Sequence, residues 1–171
     1  MVDLGSYKDK FGDSGQRILE HALNESRRRD QNFVSVEHIL QALTVEEPDM
    51  FNSAMRELSL DPVVVKMAIE KRLTSSRQQH VGKGFRIGPD TTDLFKRAME
   101  RARTQGRKTI EATDIFEALS NHQDSLFVDV LRTMGANPDA VAENVRAQVQ
   151  KREQEEELNR KKFELPPYLK H

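Results

Sequence analysis

Glu37 and His38 stand side by side where a helical pattern begins, and they are the residues of this chain best suited by type to chemistry. A carboxylate beside an imidazole could serve as the acid–base dyad of a small hydrolase. Adjacent helix positions point about 100° apart, however, so the two side chains cannot readily face one substrate. No nucleophile with a partner base accompanies them. Glu37 also suits the first turn of a helix without any ligand, because a carboxylate favours the helix dipole there, and His38 can simply bond a backbone carbonyl. The five histidines (His21, His38, His80, His122, His171) show no metal-ligand spacing. There is no His-Glu-x-x-His and no phosphate-cradling glycine loop, Gly82-Lys83-Gly84 being too short for one. With no cysteine, disulfides and thiolate zinc sites are excluded. Catalysis is not what this sequence advertises.

What positions these residues is a repeat. Residues 15–73 reappear without a gap as residues 91–149, at a shift of 76. The shift lays Ile18 on Leu94, Ala22 on Ala98, Val34 on Ile110, Ile39 on Ile115, Phe51 on Phe127, Pro62 on Pro138 and Val65 on Val141. Chemically different residues fall between the matched apolar ones, so the shared pattern is one of packing.

Each copy carries four helical signals, which makes the fold class all-α: a tandem repeat of two four-helix units, either about a pseudo-twofold axis or in line. The first helix is expected to start at the N-caps Ser14 and Asp90, with Ile18, Leu19, Ala22 and Leu23, or Leu94, Phe95, Ala98 and Met99, as its apolar stripe. The second starts near Ser35, with Val36, Ile39, Leu40 and Leu43 inward; its counterpart uses Ala112, Ile115, Phe116 and Leu119. The third begins around Pro48-Asp49 and presents Phe51, Ala54 and Met55, matched by Phe127, Val130 and Leu131. Gly135 follows where a left-handed residue suits a helix end, and Ser59, at the same place in copy one, must accept a less comfortable conformation or a different stop. Asp61-Pro62 and Asn137-Pro138 then pair an N-cap with an N1 proline and open the fourth helices.

The boundaries that follow are a double-repeat domain over 1–150, with repeat 1 at about 14–73, a linker at 74–89 and repeat 2 at about 90–149. The linker holds glycines, serines and basic residues without periodicity and reads as a mobile loop. Residues 151–171 read as an exposed, charged extension of the last helix that ends in a linker, Leu165-Pro166-Pro167-Tyr168, toward a further module. A hydrophobic content of 36% beside a charged content of 32% describes a highly charged helical protein. No apolar run approaches the roughly 18 residues of a membrane span, and the start lacks the features of a signal peptide. A cytoplasmic location without membrane partners is expected. The net charge is −1, and the one basic run, Arg27-Arg28-Arg29, is flanked by Glu25 and Asp30. Nucleic-acid binding would want several basic clusters on one face, so no nucleic-acid partner is expected.

Ala22, the run Val34-x-x-Glu37-His38-Ile39-Leu40-x-Ala42-Leu43 and Leu58-x-x-Asp61-Pro62 together resemble the N-terminal double repeat of the Clp/Hsp100 AAA+ unfoldases. The second copy, Ile110-Glu111-Ala112-Thr113-Asp114-Ile115-Phe116, resembles a degraded version of the same helix-two motif. The resemblance covers roughly residues 10–150 and is nearest the ClpC and ClpA kind, which points to a bacterial protein. It implies a non-catalytic domain that captures unfolded or tagged clients and adaptor proteins for a hexameric, ATP-driven unfoldase, with a downstream peptidase as a possible partner of the full-length hexamer. ATP and magnesium would bind modules outside these residues, and no cofactor is expected in this chain. A free-standing adaptor or decoy of the same fold is the alternative.

ClpB-type members offer an apolar groove beside the second repeat, where this chain places the polar Arg97, Arg101 and Asp114. ClpC-type members from some bacteria bind phosphoarginine at two related sites, one per repeat, a helix-two glutamate meeting the guanidinium and donors at a first-helix start holding the phosphate. Carried over, Glu37 is the first carboxylate and Gly12-Asp13-Ser14 lies near the phosphate. Asp13 adds a negative charge there, and Thr113 replaces the second glutamate with Asp114 one position on. Loss of a charge-assisted bond costs about 1.5–3 kcal/mol, so at most one such site is expected to work. The expected binding set is therefore Gly12, Asp13, Ser14, Glu37, His38, Thr113 and Asp114, with no metal site.

Overall fold

The computed structural model describes residues 2–75, 84–122 and 125–164. Repeat 1 consists of α1 (Asp13–Arg28), α2 (Val36–Glu46), α3 (Pro48–Glu57) and α4 (Pro62–Ser75). Repeat 2 consists of α5 (Pro89–Thr104), α6 (Ala112–Ser120), α7 (Leu126–Thr133) and α8 (Pro138–Glu164). The stripes read from the sequence form the core: Ile18, Ala22, Ile39, Leu43, Phe51 and Val65 are fully buried, as are Ala98, Ile115, Leu119, Phe127 and Val141. The fourth helices begin as their sequence signals require, with the Asp61 and Asn137 side chains accepting from the amides of Val63 (2.9 Å) and Asp139 (2.8 Å). The left-handed turns also repeat. Asp30 and Ser59, at φ 56° and 60°, occupy the positions of Gly106 and Gly135 in the second copy. An L side chain is crowded in that region, so the second repeat turns these corners with less strain.

The first helices start earlier than their residue types suggest. Gly12 and Gly88, not Ser14 and Asp90, are the N-caps of α1 and α5. Ser14 is diverted from capping because its hydroxyl serves the other repeat, as described below.

Three two-residue strands, β1 (Val2–Asp3), β2 (Phe33–Val34) and β3 (Arg86–Ile87), form a small sheet in the order β1-β3-β2. A 3-10 helix, Leu4–Lys10, joins β1 to α1 and lays Tyr7 and Phe11 against Phe95. Val34 of β2 pairs in parallel with Ile87, just ahead of α5. Under the 76-residue shift that pair becomes Ile110 with Phe11, and the structure contains this bridge as well. It is closed by Gly12 N to Ile110 O (3.0 Å) and Ile110 N to Lys10 O (2.8 Å). Each repeat therefore completes the lead-in of the other, which fixes the pseudo-twofold arrangement. On the shared face, Phe51, Phe116 and Phe127 bring their ring centroids within 5.9–6.2 Å of one another.

Of the expected mobile loop at 74–89, residues 76–83 lie outside the described residues. Its end is ordered as β3, which alters that reading. The expected linker at 165–171 also lies outside them. The charged extension is helical as expected through Glu164, yet it is not simply exposed. Arg152 donates to Glu47 at the α2–α3 junction (2.6 Å), and Glu153 accepts from Arg101 (2.6 and 2.7 Å) and Arg107 (2.9 Å).

Candidate functional site

The antiparallel packing of α1 and α2 decides where the candidate residues can meet. Ser26, near the end of α1, donates its hydroxyl to Phe33 O (2.7 Å), which puts the start of α2 beside the end of α1. A helix of 16 residues is about 24 Å long. Glu37, in the first turn of α2, therefore sits at the opposite end of α1 from Gly12-Asp13-Ser14. The pairing carried over from the resemblance does not form within one repeat.

The partner of the α1 start comes instead from repeat 2. Glu111, the N-cap of α6, turns its carboxylate onto α1, where Oε1 accepts from Ser14 N (3.1 Å), Ser14 Oγ (3.0 Å) and Gly15 N (3.5 Å). Ser14 Oγ accepts in turn from Ala112 N (2.8 Å). The donors of a helix N-terminus, which suit an anion, are thus occupied from within the molecule. A Cβ on Gly15 would overlap the carbonyl oxygen of Ile110, so glycine is required for this approach.

Among the described residues, the equivalent place at the α5 start is open. Ser35 stands where repeat 2 has Glu111, and its short side chain caps its own helix by accepting from His38 N (3.3 Å). Thr91, in the position of Gly15, donates its hydroxyl to Val34 O (3.1 Å) and closes the junction. A cleft of about 740 Å³ remains between the starts of α2 and α5 and runs down to α7. Glu37 lines it from repeat 1, and Gly88, Asp90 and Asp93 line it from repeat 2. Asp129 and Arg132 of α7 also face it. Among the described residues, the side chains of Glu37 and Asp90 make no hydrogen bond or ion pair. Arg97 donates to Asp93 (3.0 Å) and to Ala118 O (2.6 Å), and Asp129 accepts from Arg72 (3.1 Å). Glu37 alone of the seven expected site residues lines this cleft.

His38 is turned inward and almost wholly buried. Its Nδ1 accepts from Ser35 N (3.1 Å), so the proton resides on Nε2, which meets Gln31 Oε1 at 3.0 Å. The expected bond to a backbone carbonyl is replaced by one to a backbone amide, completing a capping box. Burial pushes the imidazole pKa down from 6.5 to about 4. The unfolded chain binds that proton more readily, so the stability contribution is complete above pH 6.5 and is lost as the pH falls toward 4. At about 1.4 kcal/mol per unit the loss is of the order of 3 kcal/mol. Urea unfolding at pH 7 and pH 4 should show His38→Asn, which keeps a capping acceptor, losing less stability than the wild type by that amount; equal losses would refute the assignment.

Thr113 and Asp114 are buried. Asp114 occupies His38's place in the repeat and closes the same capping box by accepting from Glu111 N (2.8 Å). It also takes Arg101 Nη1 (2.8 Å) and both Nη atoms of Arg107. Burial works against the charge of Arg101, yet hydrogen bonds to Glu153 and Asp114 raise its pKa. Asp114 is thus a member of a structural network and does not line the cleft. Sequence reasoning placed Ser35 at the start of α2 but missed the reach of Glu111 to α1; the available signal was that a glutamate in one copy aligns with a serine in the other at a helix start. Among the described residues, no group of three or more His, Cys, Asp or Glu side chains is placed to hold a metal, and no helix is long and apolar enough to cross a membrane.

Two four-helix repeats that complete each other's helix starts define a double-repeat domain with a cleft at their junction. The chain belongs to the Clp repeat (R) N-terminal domain family, whose model matches residues 10–124 and again residues 92–170. It is similar to the chloroplastic chaperone protein ClpC1 of Oryza sativa subsp. japonica, at 23% identity over 141 residues, covering 82% of this chain and 15% of that protein. The chain thus spans about 15% of the length of the curated relatives it matches. Its fold is similar to the Hsp104 N-terminal domain from Candida albicans, with a TM-score of 0.67 and 14% identity over 80% of this chain and 89% of that one. It is also similar to a ClpV N-domain in complex with a VipB peptide, with a TM-score of 0.62 and 16% identity over 87% and 92%.

Proposed function

We propose that this chain is the non-catalytic, substrate- and adaptor-binding N-terminal domain of an ATP-dependent Clp/Hsp100 unfoldase, and that the α2–α5 cleft is where it holds its clients. The observation that carries this reading is the asymmetry of the helix starts: one is filled by the chain's own Glu111, and its counterpart is left open. The complex of a related ClpV N-domain with a VipB peptide supports peptide capture as the activity. In this reading Glu37 takes a guanidinium of an extended client segment in a charge-assisted, two-pronged pair. Asp90 beside it favours unmodified arginine over phosphoarginine, because a phosphate placed at the α5 start would meet its charge, whereas Asp93 is already paired with Arg97. ATP and magnesium are handled by modules outside these residues, in a hexamer that also passes clients to a peptidase.

A two-dimensional amide NMR titration tests this reading, with an unfolded arginine-rich peptide and the same peptide carrying phosphoarginine. Saturable shifts at Glu37 and Gly88–Thr91, weakened about tenfold or more by Glu37→Gln, are expected for the unmodified peptide. Silence from both peptides at millimolar concentration would refute the reading, and stronger binding of the phosphorylated peptide would reverse the preference.

A further inference from the structure

The inward face of α8 changes character along its length. Val141, Val145 and Val149 are fully buried, one turn apart. The next inward positions on that face are Arg152 and Glu153, so the seam continues with charges where the apolar stripe ends. Arg152 reaches repeat 1 at Glu47, which is almost wholly buried, and Glu153 reaches repeat 2 at Arg101 and Arg107. These two adjacent residues grip different halves of the molecule. Burial works against the charge of Glu153, but the Arg101 hydrogen bond and both guanidinium charges hold its carboxyl below the usual carboxylate range. Beyond this point the helix makes local pairs, such as Glu157 with Arg160 and Lys161, and Leu158 and Phe163 are exposed.

We propose that Arg152 and Glu153 form an electrostatic latch: the turn of α8 that follows Val149 docks on both repeats through ion pairs and can peel away while the apolar seam stays closed. Among the described residues no buried apolar side chain follows Val149 on α8, so the docking of residues 150–156 depends on the latch. Within the function proposed above, this is the segment through which the domain is carried; the latch itself is a property of the chain alone and stands or falls apart from client binding.

Amide hydrogen exchange followed by NMR on the whole chain tests it. Arg152→Glu, which puts two carboxylates together, should speed exchange at residues 150–156 about tenfold or more and leave Val141–Val149 unchanged. The charge swap Glu47→Arg/Arg152→Glu should restore protection, and Glu153→Gln should weaken it independently through the other repeat. Unchanged exchange at 150–156, loss that spreads to Val145, or no recovery in the swap would overturn the proposal.

Discussion

Asp114→Ala should cost about 3–5 kcal/mol, the scale for removing one partner from a buried ion pair, and should lower Tm by roughly 10 °C or more for a chain of this size. The Asp114 carboxylate is fully buried and accepts from Arg101, Arg107 and the Glu111 amide. Removing it leaves two guanidinium groups together with Glu153 and Glu117 as their remaining counter-charges and uncaps α6. Glu157→Ala breaks an exposed pair on the same protein and should change stability by less than about 1 kcal/mol. Urea unfolding of both variants measures the contrast, and similar small losses would show that the network contributes no more than a surface pair.

The second large effect is expected at Phe116. Phe116→Ala should cost about 3–5 kcal/mol, because it opens a void in a close-packed core, beside Phe51 of one repeat and Phe127 of the other. Phe116→Leu installs the residue that repeat 1 carries at the same place, Leu40, and should cost nearer 1 kcal/mol. Since the ring touches both halves, the alanine variant should still unfold in one transition with an unchanged denaturant dependence. Two resolved transitions would mean that the repeats are energetically separate.

The helices were legible because their signals are local. Ser35 caps α2, Asp61-Pro62 and Asn137-Pro138 open α4 and α8, and the apolar stripes at helical spacing are the buried ones. The strands were not, since two residues are too short to show alternation. The site was legible only in part. A carboxylate at Glu37 and a helix start rich in small residues were both visible, but periodicity says that a helix exists, not on which copy it docks. Glu37 therefore seemed to belong with Gly12–Ser14, whereas antiparallel packing and the exchange of lead-ins set it opposite Gly88–Thr91. Ser14 and Asp90 misled for a related reason. Their residue types suit capping, yet the tertiary contact with Glu111 outweighed that preference at Ser14.

Because each half supplies the strand and helix partner that the other lacks, neither repeat is a finished unit. A chain ending after α4 would leave Val34 without Ile87 and the α1 start without Glu111. Two identical copies could satisfy each other only as an isologous dimer, with the same patch used on both sides. Joined in one polypeptide, the second copy is always present, at an effective concentration of about millimolar. The molecule is in effect a homodimer that dilution cannot dissociate. Freed from the identity that symmetry imposes on a true dimer, its two equivalent mouths can differ: Glu111 and Gly15 shut the first, while Ser35 and Thr91 stand at the second.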